Sequence, residues 1–152
     1  MMTIQSIVMK SPIGNLKLSA DRTQLLSVQF VEEEACTNTE HPILMMAKEQ
    51  MCEFFKGERK AFDLPLKIEG TAFQKEVWNA LQRIPYGETC SYQDLAHAIQ
   101  RPKAVRAVGQ ANKANRFPII IPCHRVIGKN KTLTGYAGKQ TDKKETLLSL
   151  EK

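Results

Sequence analysis

The spacing of apolar residues changes near Gly70, and this change restricts the chain to folds that combine strands with helices. Before Gly70, the segment SIVMKSPIGNLKLSADRTQLLSVQF alternates apolar clusters with turn residues, which predicts antiparallel strands. The segment ILMMAKEQMCEFF, residues 43–55, repeats apolar residues at helical spacing. We therefore expect an α+β fold, in which residues 1–70 form a small antiparallel sheet with one helix and residues 71–152 form a mostly helical lobe.

Three helical segments are predicted directly after Gly70. Thr71 is a capping residue at the start of TAFQKEVWNALQRI, and Ser91 begins SYQDLAHAI with Asp94 three residues later, as in a capping box. The segment KAVRAVGQANKAN then follows a break at Pro102. Two short helices joined by a turn, of which the second is basic, predict a helix-turn-helix with winged-helix-like character. The second helix would carry Lys103, Arg106, Gln110 and Lys113.

Basic residues are concentrated in the second part of the chain. Residues 1–70 hold 8 Lys/Arg and 10 Asp/Glu, residues 71–152 hold 14 and 6, and the formal net charge is +6. Residues 101–131 contain eight basic residues and no acidic one. A stretch of one sign is typical of a surface that binds a polyanion, and nucleic acid is the first candidate, although a solvated basic face would have the same composition.

The stretch FPIIIPCHRVIG, residues 117–128, leads an apolar run into Cys123, His124 and Arg125. The run predicts a short buried strand that ends at the cysteine, because proline cannot continue a strand ladder. A nearby imidazole or positive charge lowers the pKa of a thiol and makes it a better nucleophile. Adjacent residues of an extended chain point in opposite directions, so His124 needs a turn or a bridging water to act on Cys123. A histidine base also needs a carboxylate, which Asp142, Glu145 or Glu151 could supply.

The other cysteines give no sign of a disulfide or metal site. Cys36, Cys52 and Cys90 form no CxxC pair with one another or with Cys123, and MMTIQSIVMK lacks the layout of a signal peptide, so we expect reduced thiols in the cytoplasm. No apolar run approaches the roughly 20 residues that cross a bilayer. A lone cysteine is most often a packing residue. Cys36, His41 and Cys52 fit no known zinc spacing, and we expect no metal.

Several motifs taken together resemble the methylated-DNA–protein-cysteine methyltransferases, also called 6-O-alkylguanine-DNA alkyltransferases. They are FQKEVWNALQRIPYGETCSYQDLA, RPKAVRAVGQANKAN, IPCHRVIG, and LTGYAG followed by LLSLE. The resemblance extends from Thr71 to Glu151, whereas residues 1–70 fit the N-terminal lobe of the family in layout. It implies a ribonuclease-H-like lobe over residues 1–70 and a DNA-binding, alkyl-acceptor domain over residues 71–152.

The resemblance also implies roles for individual residues. Cys123 would accept the alkyl group, His124 would activate it through a water, Glu151 would orient the imidazole, and Asn115 would brace the helix-turn-helix against the active-site loop. Residues expected to contact DNA or the extruded base are Arg106, which enters the base stack, Tyr92, which contacts the flipped guanine, and Arg125. Residues expected to line the substrate pocket are Gly135, Tyr136 and Ala137.

The implied reaction is a single, irreversible transfer that needs no cofactor. The substrate would be duplex DNA that contains 6-O-methylguanine, with 4-O-methylthymine as a second substrate to test, bound by a monomer or by several copies side by side. A non-catalytic helix-turn-helix module that recognises lesions or operators is the main alternative. The lesion-flagging relatives of the family lack the reactive cysteine, whereas Cys123 is present, and a sequence-specific regulator would usually dimerise and read base edges. A cysteine hydrolase would need an oxyanion hole and a histidine bonded directly to the thiol, which adjacent Cys123 and His124 do not supply.

Overall fold

A computed structural model describes residues 3–128 and 141–152 of the chain. The chain divides into two compact units, Met1–Ile68 and Glu69–Lys152. No helix within the described residues is long and apolar enough to cross a lipid bilayer.

The first unit is an antiparallel sheet with one helix. The strands β1 (Gln5–Met9), β2 (Asn15–Ala20) and β3 (Leu25–Val31) pair in the order β1-β2-β3, and α1 spans Pro42–Phe55. Buried and half-buried residues alternate along β2, because successive side chains of a strand point to opposite faces. The buried face of β2 packs against the apolar side of α1, so this unit has its own hydrophobic core.

The second unit is mostly helical. Its described residues form four α-helices and a pair of two-residue strands: α2 (Ala72–Leu81), β4 (Cys90–Ser91), α3 (Tyr92–Ala98), α4 (Val105–Lys113), β5 (Val126–Ile127) and α5 (Thr141–Leu150). The strands β4 and β5 pair in parallel. Capping boxes begin α2 at Thr71 and α3 at Ser91, where each side chain accepts from the amide three residues later. The α+β fold predicted from the sequence is confirmed.

The helices α3 and α4 correspond to the predicted helix-turn-helix. The α4 helix begins at Val105, so Lys103 lies in the connection before it rather than on the second helix as predicted. The inner face of α4 is fixed to α2, because Nε1 of Trp78 donates a hydrogen bond to the carbonyl oxygen of Ala111 at 2.8 Å. The outer face is exposed and carries Arg106, Gln110 and Lys113.

The apolar run before Cys123 is buried, but the prediction of a strand there is wrong. Ile119 has a φ of 78°, in the left-handed region, and the amide of Ile121 donates to the carbonyl of Phe117 at 2.8 Å, so the run folds into a turn. The prolines at both ends of the isoleucines have no amide hydrogen for a strand ladder. The short strand, β5, comes after the cysteine. Three consecutive isoleucines fit a buried turn as well as a buried strand, and apolar periodicity does not distinguish them.

Candidate active site

Asn115, just beyond the end of α4, holds the turn that positions Cys123. Its Nδ2 donates to the carbonyl of Ile121 at 2.8 Å, and its Oδ1 accepts from the amide of Phe117 at 2.8 Å. Asn115 also lowers the pKa of the Cys123 thiol, because its side chain favours the thiolate. One amide side chain therefore connects the helix end, the turn and the thiol, and this arrangement suits the bracing role that the resemblance implies for Asn115.

Cys123 begins a single turn of 3₁₀-helix, Cys123–Arg125, and is 5% exposed. Burial raises the pKa of the Cys123 thiol to about 11, because the thiolate would lose hydration, while the Asn115 hydrogen bond and the charge of Lys144 lower it. The thiol is therefore the resting form, and its proton must be taken up during a reaction. A 3₁₀-helix has about three residues per turn, so Cys123 and His124 do not point in opposite directions as they would in a strand.

His124 is fully buried and forms a hydrogen bond with Glu151, whose Oε2 lies 2.7 Å from its Nε2. Burial favours the neutral acid, but hydrogen bonds from His124 and Arg125 hold the pKa of Glu151 down at about 2. An ionised carboxylate only accepts hydrogen bonds, so Nε2 of His124 carries the hydrogen. Burial lowers the pKa of His124, which keeps the imidazole neutral and leaves Nδ1 as the nitrogen that can accept a proton.

The expectation that Arg125 contacts DNA requires correction, because its guanidinium is turned into the protein. Arg125 is 6% exposed, its Nε lies 2.9 Å from Oε1 of Glu151, and its Nη2 lies 2.9 Å from Oε2. Its Nη1 donates to the carbonyl of Ile84 at 2.8 Å, and the guanidinium lies 5.6 Å from the centre of the Tyr86 ring. A guanidinium with its donors committed in this way is not available to a phosphate. Arg125 instead holds the carboxylate that contacts His124.

Glu151 is anchored at the end of α5 and is not a frayed terminal residue. Its residue surface is 4% exposed, and its Oε1 also accepts from the amide of Gly87 at 3.3 Å. Gly87 has a φ of +84°, and a Cβ there would lie 3.1 Å from the backbone oxygen of Glu151. The Tyr86 hydroxyl donates to the carbonyl of Leu150 at 3.3 Å. These contacts supply the ordered C-terminus that a His124–Glu151 relay requires.

Lys144 is a buried cation near the thiol that the sequence analysis missed. It is fully buried, and its Nζ lies 6.0 Å from the centre of the Tyr92 ring. Burial lowers the pKa of Lys144 to about 8, and electrostatic interaction with Cys123 opposes that shift. The signal in the sequence is the helical spacing. Lys144 lies three residues before the buried Leu147 and Glu151 lies four residues after it, so both fall on the buried side of α5.

Arg106 and Tyr92 occupy different environments on the helix-turn-helix. Arg106 is exposed on α4, where a nucleic acid could reach it. Tyr92 is half-buried at the start of α3, and a Cβ added at Gly109 of α4 would lie 3.9 Å from its ring. The Tyr92 ring therefore lies close to both α4 and the buried cation Lys144.

The remaining predicted site residues, Gly135, Tyr136 and Ala137, lie outside the described residues. Within residues 3–128 and 141–152, no group of three or more His, Cys, Asp or Glu side chains could hold a metal ion. The residues brought together in the second unit are thus a thiol, a neutral imidazole, an ionised carboxylate and a buried ammonium. This set can remove a proton from sulfur and stabilise the charge that forms.

Two family models match the chain, each over one of its units. The model described as the DNA binding domain of 6-O-methylguanine DNA methyltransferase matches residues 72–152. The model described as the ribonuclease-like domain of 6-O-methylguanine DNA methyltransferase matches residues 4–68.

Curated relatives and solved structures agree with these matches. The constitutive methylated-DNA–protein-cysteine methyltransferase of Bacillus subtilis is 51% identical over 152 residues, which cover 94% of this chain and 92% of the relative. The corresponding protein of Methanosarcina acetivorans is 48% identical over 152 residues, covering 95% and 96%. The Mycobacterium tuberculosis O6-methylguanine methyltransferase has a TM-score of 0.87 at 40% identity, covering 98% of this chain and 93% of that one. The M. tuberculosis OGT crystallised with DNA has a TM-score of 0.84 at 43% identity, covering 95% and 90%. This chain belongs to the 6-O-methylguanine DNA methyltransferase family.

Proposed function

We propose that this protein repairs duplex DNA by transferring the alkyl group of 6-O-alkylguanine to Sγ of its own Cys123, once per molecule. The proposal rests on a buried series of groups. Cys123 is followed by His124, and His124 forms a hydrogen bond of 2.7 Å with the ionised Glu151. The relatives from B. subtilis and M. acetivorans are named methyltransferases with methylated DNA and a protein cysteine as reactants. The OGT structure with DNA supports DNA as the partner.

The reacting base must leave the duplex before transfer. Cys123 is 5% exposed, and a thiol in that position cannot reach an alkyl carbon inside a stacked helix. Extrusion costs a few kcal/mol, which contacts to the rest of the DNA must offset. Arg106 would fill the space that the base leaves, and the exposed basic residues between Arg101 and Arg116 would bind phosphates. Tyr92 would contact the extruded base, and residues 135–137 would form the pocket wall.

The transfer forms a sulfur–carbon bond and breaks the carbon–oxygen bond of the alkylated base. The thiol proton passes through a water to Nδ1 of His124, and Glu151 stabilises the imidazolium that results. Sγ of Cys123 then attacks the alkyl carbon, and the electron pair of the broken bond stays on the base. The base takes up a proton from water to leave as guanine, and the imidazolium of His124 returns its proton to the water. The ammonium of Lys144 favours the thiolate over the thiol.

The reaction ends at the protein. The product is a thioether, whose sulfur–carbon bond water does not cleave at neutral pH, so the thiol is not regenerated. Protons, atoms and electrons balance between the base and the cysteine, and the step needs no cofactor. One molecule therefore repairs one lesion, and the rate is measured as single-turnover kinetics.

A mass measurement tests the proposal. The protein is incubated with an oligonucleotide duplex that holds one 6-O-methylguanine, and an adduct of about 14 Da is expected on the Cys123 peptide, because a thiolate attacks the methyl carbon. Cys123→Ser should abolish the adduct, and Cys36→Ser, which changes an exposed cysteine of the first unit, should leave it intact. Tight DNA binding without an adduct would instead support a non-catalytic DNA-binding module.

The second substrate, the location and the oligomeric state are also proposals. The same nucleophile can attack 4-O-methylthymine, and the adduct assay with that base measures its relative rate. We further propose that the protein acts in the cytoplasm as a monomer, with copies able to bind side by side on DNA. Its formal charge of +6 favours such binding at low salt. Sedimentation without DNA tests whether the free protein is a monomer, and sedimentation with a long duplex tests whether several copies bind side by side.

A further inference from the structure

Tyr86 is a half-buried aromatic residue to which the proposed reaction gives no role, yet it contacts both groups that hold Glu151 in place. The guanidinium of Arg125 lies over its ring, 5.6 Å from the ring centre. Its hydroxyl donates to the carbonyl of Leu150, the last residue of α5, at 3.3 Å. Leu150 directly precedes Glu151 in the chain. One side chain therefore contacts the guanidinium that binds the carboxylate and the helix end that carries it.

The backbone next to Tyr86 contacts the same two groups. The carbonyl of Ile84 accepts from Nη1 of Arg125 at 2.8 Å, and the amide of Gly87 donates to Oε1 of Glu151 at 3.3 Å. Backbone groups can make these bonds whichever side chain stands at position 86. The contribution of the Tyr86 side chain can therefore be tested while the backbone bonds are kept.

The Tyr86 ring strengthens the ion pair between Arg125 and Glu151. A ring over a guanidinium attracts the cation and covers one of its faces. Removing the ring would let water approach the guanidinium, and charges attract each other less in a medium of higher dielectric constant. The carboxylate of Glu151 lies 2.7 Å from Nε2 of His124. A looser ion pair would thus leave the imidazole less well oriented.

We infer that Tyr86 is a positioning residue for the transfer reaction and acts through the Arg125–Glu151 pair. Its ring contributes most of the effect, and its hydroxyl, which holds the end of α5, contributes less. The inference rests on the proposed function, because the orientation of His124 matters only if the Cys123 thiol loses its proton during transfer. Its effect should be confined to the step in which His124 accepts that proton.

The pH dependence of transfer separates such positioning from a general loss of structure. Burial raises the pKa of the Cys123 thiol to about 11, so near neutral pH the relay must take up its proton. As the pH approaches that value, hydroxide forms the thiolate without the relay. A defect confined to the relay should therefore diminish as the pH rises. The charged groups that act on His124, namely Arg125, Lys144 and Glu151, are present in every variant compared, so their own titration cancels in the ratio of rates.

The experiment follows single-turnover alkylation of Cys123 by free 6-O-alkylguanine base, measured by mass, between about pH 7 and about pH 10. The free base excludes any contribution from DNA binding. Tyr86→Leu should be about tenfold slower than wild type at the lower pH and within about twofold of it at the higher pH. Tyr86→Phe, which keeps the ring, should stay within about threefold of wild type throughout. The matched control is Phe73→Leu, which removes a ring 5.8 Å from the guanidinium of Arg101, outside the relay, and should behave as wild type.

Each other result overturns the inference. A wild-type rate for Tyr86→Leu near neutral pH, or a loss of equal size at both pH values, would show that the ring does not act through the relay. Equal losses in Tyr86→Phe and Tyr86→Leu, or in Phe73→Leu and Tyr86→Leu, would remove the contact with the guanidinium as the cause. The absence of an adduct on wild type with the 6-O-methylguanine duplex would overturn the proposed function as well.

The folded state of each variant is checked before its rate is measured. Trp78 fluorescence gives the unfolding temperature, and all rates are taken at a temperature where every variant is folded. If Tyr86→Leu does not fold at any usable temperature, Tyr86→Met replaces it, because it also removes the ring and hydroxyl while filling a similar space. The expected rates and the results that overturn the inference are then the same.

Discussion

Replacing Glu151 by glutamine tests whether one carboxylate both anchors the end of the chain and orients the imidazole. Glu151 accepts hydrogen bonds from Nε2 of His124, from Nε and Nη2 of Arg125 and from the amide of Gly87. Glutamine has the same size, but it has no negative charge and presents an amide NH2 group to partners that are themselves donors. The substitution therefore leaves the guanidinium of Arg125 buried without its counter-charge.

The size of the effect can be worked out in two ways. Neutralising one partner of a buried ion pair costs about 3–5 kcal/mol. The pKa of Glu151 is lowered from 4.5 to about 2, which corresponds to about 3 kcal/mol of stability. Because the folded-state pKa is the lower one, this stability is fully present above about pH 4.5 and is lost as the pH falls through about 2. We expect Glu151→Gln to lower the free energy of unfolding by about 3 kcal/mol at pH 7. Acidification below about pH 4.5 should lower the free energy of unfolding of this variant less than that of wild type, because the variant has no carboxylate at position 151 to protonate.

Urea unfolding followed by the fluorescence of Trp78 measures this effect, because the chain has one tryptophan and it lies in the second unit. The matched control is Glu145→Gln, an exposed position on α5, which should stay within about 0.5 kcal/mol of wild type. At a temperature where all variants are folded, Glu151→Gln should also slow methyl transfer about 100-fold, since His124 loses the partner that orients it. A loss below about 1 kcal/mol together with an unchanged transfer rate would refute the reasoning.

Two further substitutions separate DNA engagement from thiol chemistry. Arg106→Ala should slow transfer from a duplex about tenfold and leave transfer from free 6-O-alkylguanine base unchanged, because the free base needs no extrusion. Lys113→Ala is the control for loss of a phosphate contact. Equal losses of rate on the duplex and on the free base would argue against a role for Arg106 in extrusion. Lys144→Met should raise the free energy of unfolding at pH 7 by about 1–3 kcal/mol, since burial lowers the pKa of Lys144 to about 8 and the charged form below that pH is costly. The same variant should raise the pH at which Cys123 reacts with iodoacetamide, and a pH profile identical to that of Lys143→Met would contradict the role of Lys144.

The elements that the sequence predicted best are those whose signals are local. The starts of α2 and α3 follow from capping boxes at Thr71 and Ser91, which involve residues three apart. The turn before Cys123 was not predictable in the same way. It depends on the left-handed φ of Ile119 and on the Asn115 side chain, which bonds residues two and six positions further on. Nothing in three consecutive isoleucines indicates that tertiary contacts will hold one of them in a conformation rare for β-branched residues.

The errors within the site share one physical origin, which is that a sequence does not show burial. Arg125 was expected to contact DNA, which requires an exposed side chain, yet Glu151, 26 residues away, holds it inside. Lys144 was passed over because its burial was likewise not visible. It lies on the helix face that carries the apolar residues, and a polar residue in such a position is the signal that could have identified it.

The buried polar residues near Cys123 differ in what they contribute to the folded state. The Arg125–Glu151 pair is fully bonded, so removing either member should damage folding and transfer together, and activity losses at these positions do not separate the two roles. Lys144 is costly to bury, so replacing it by an apolar residue should preserve or increase stability while transfer slows. A substitution that makes the protein more stable and less active cannot act by unfolding it. Lys144 is therefore the position where a measured change in rate can be attributed to the chemistry of the thiol.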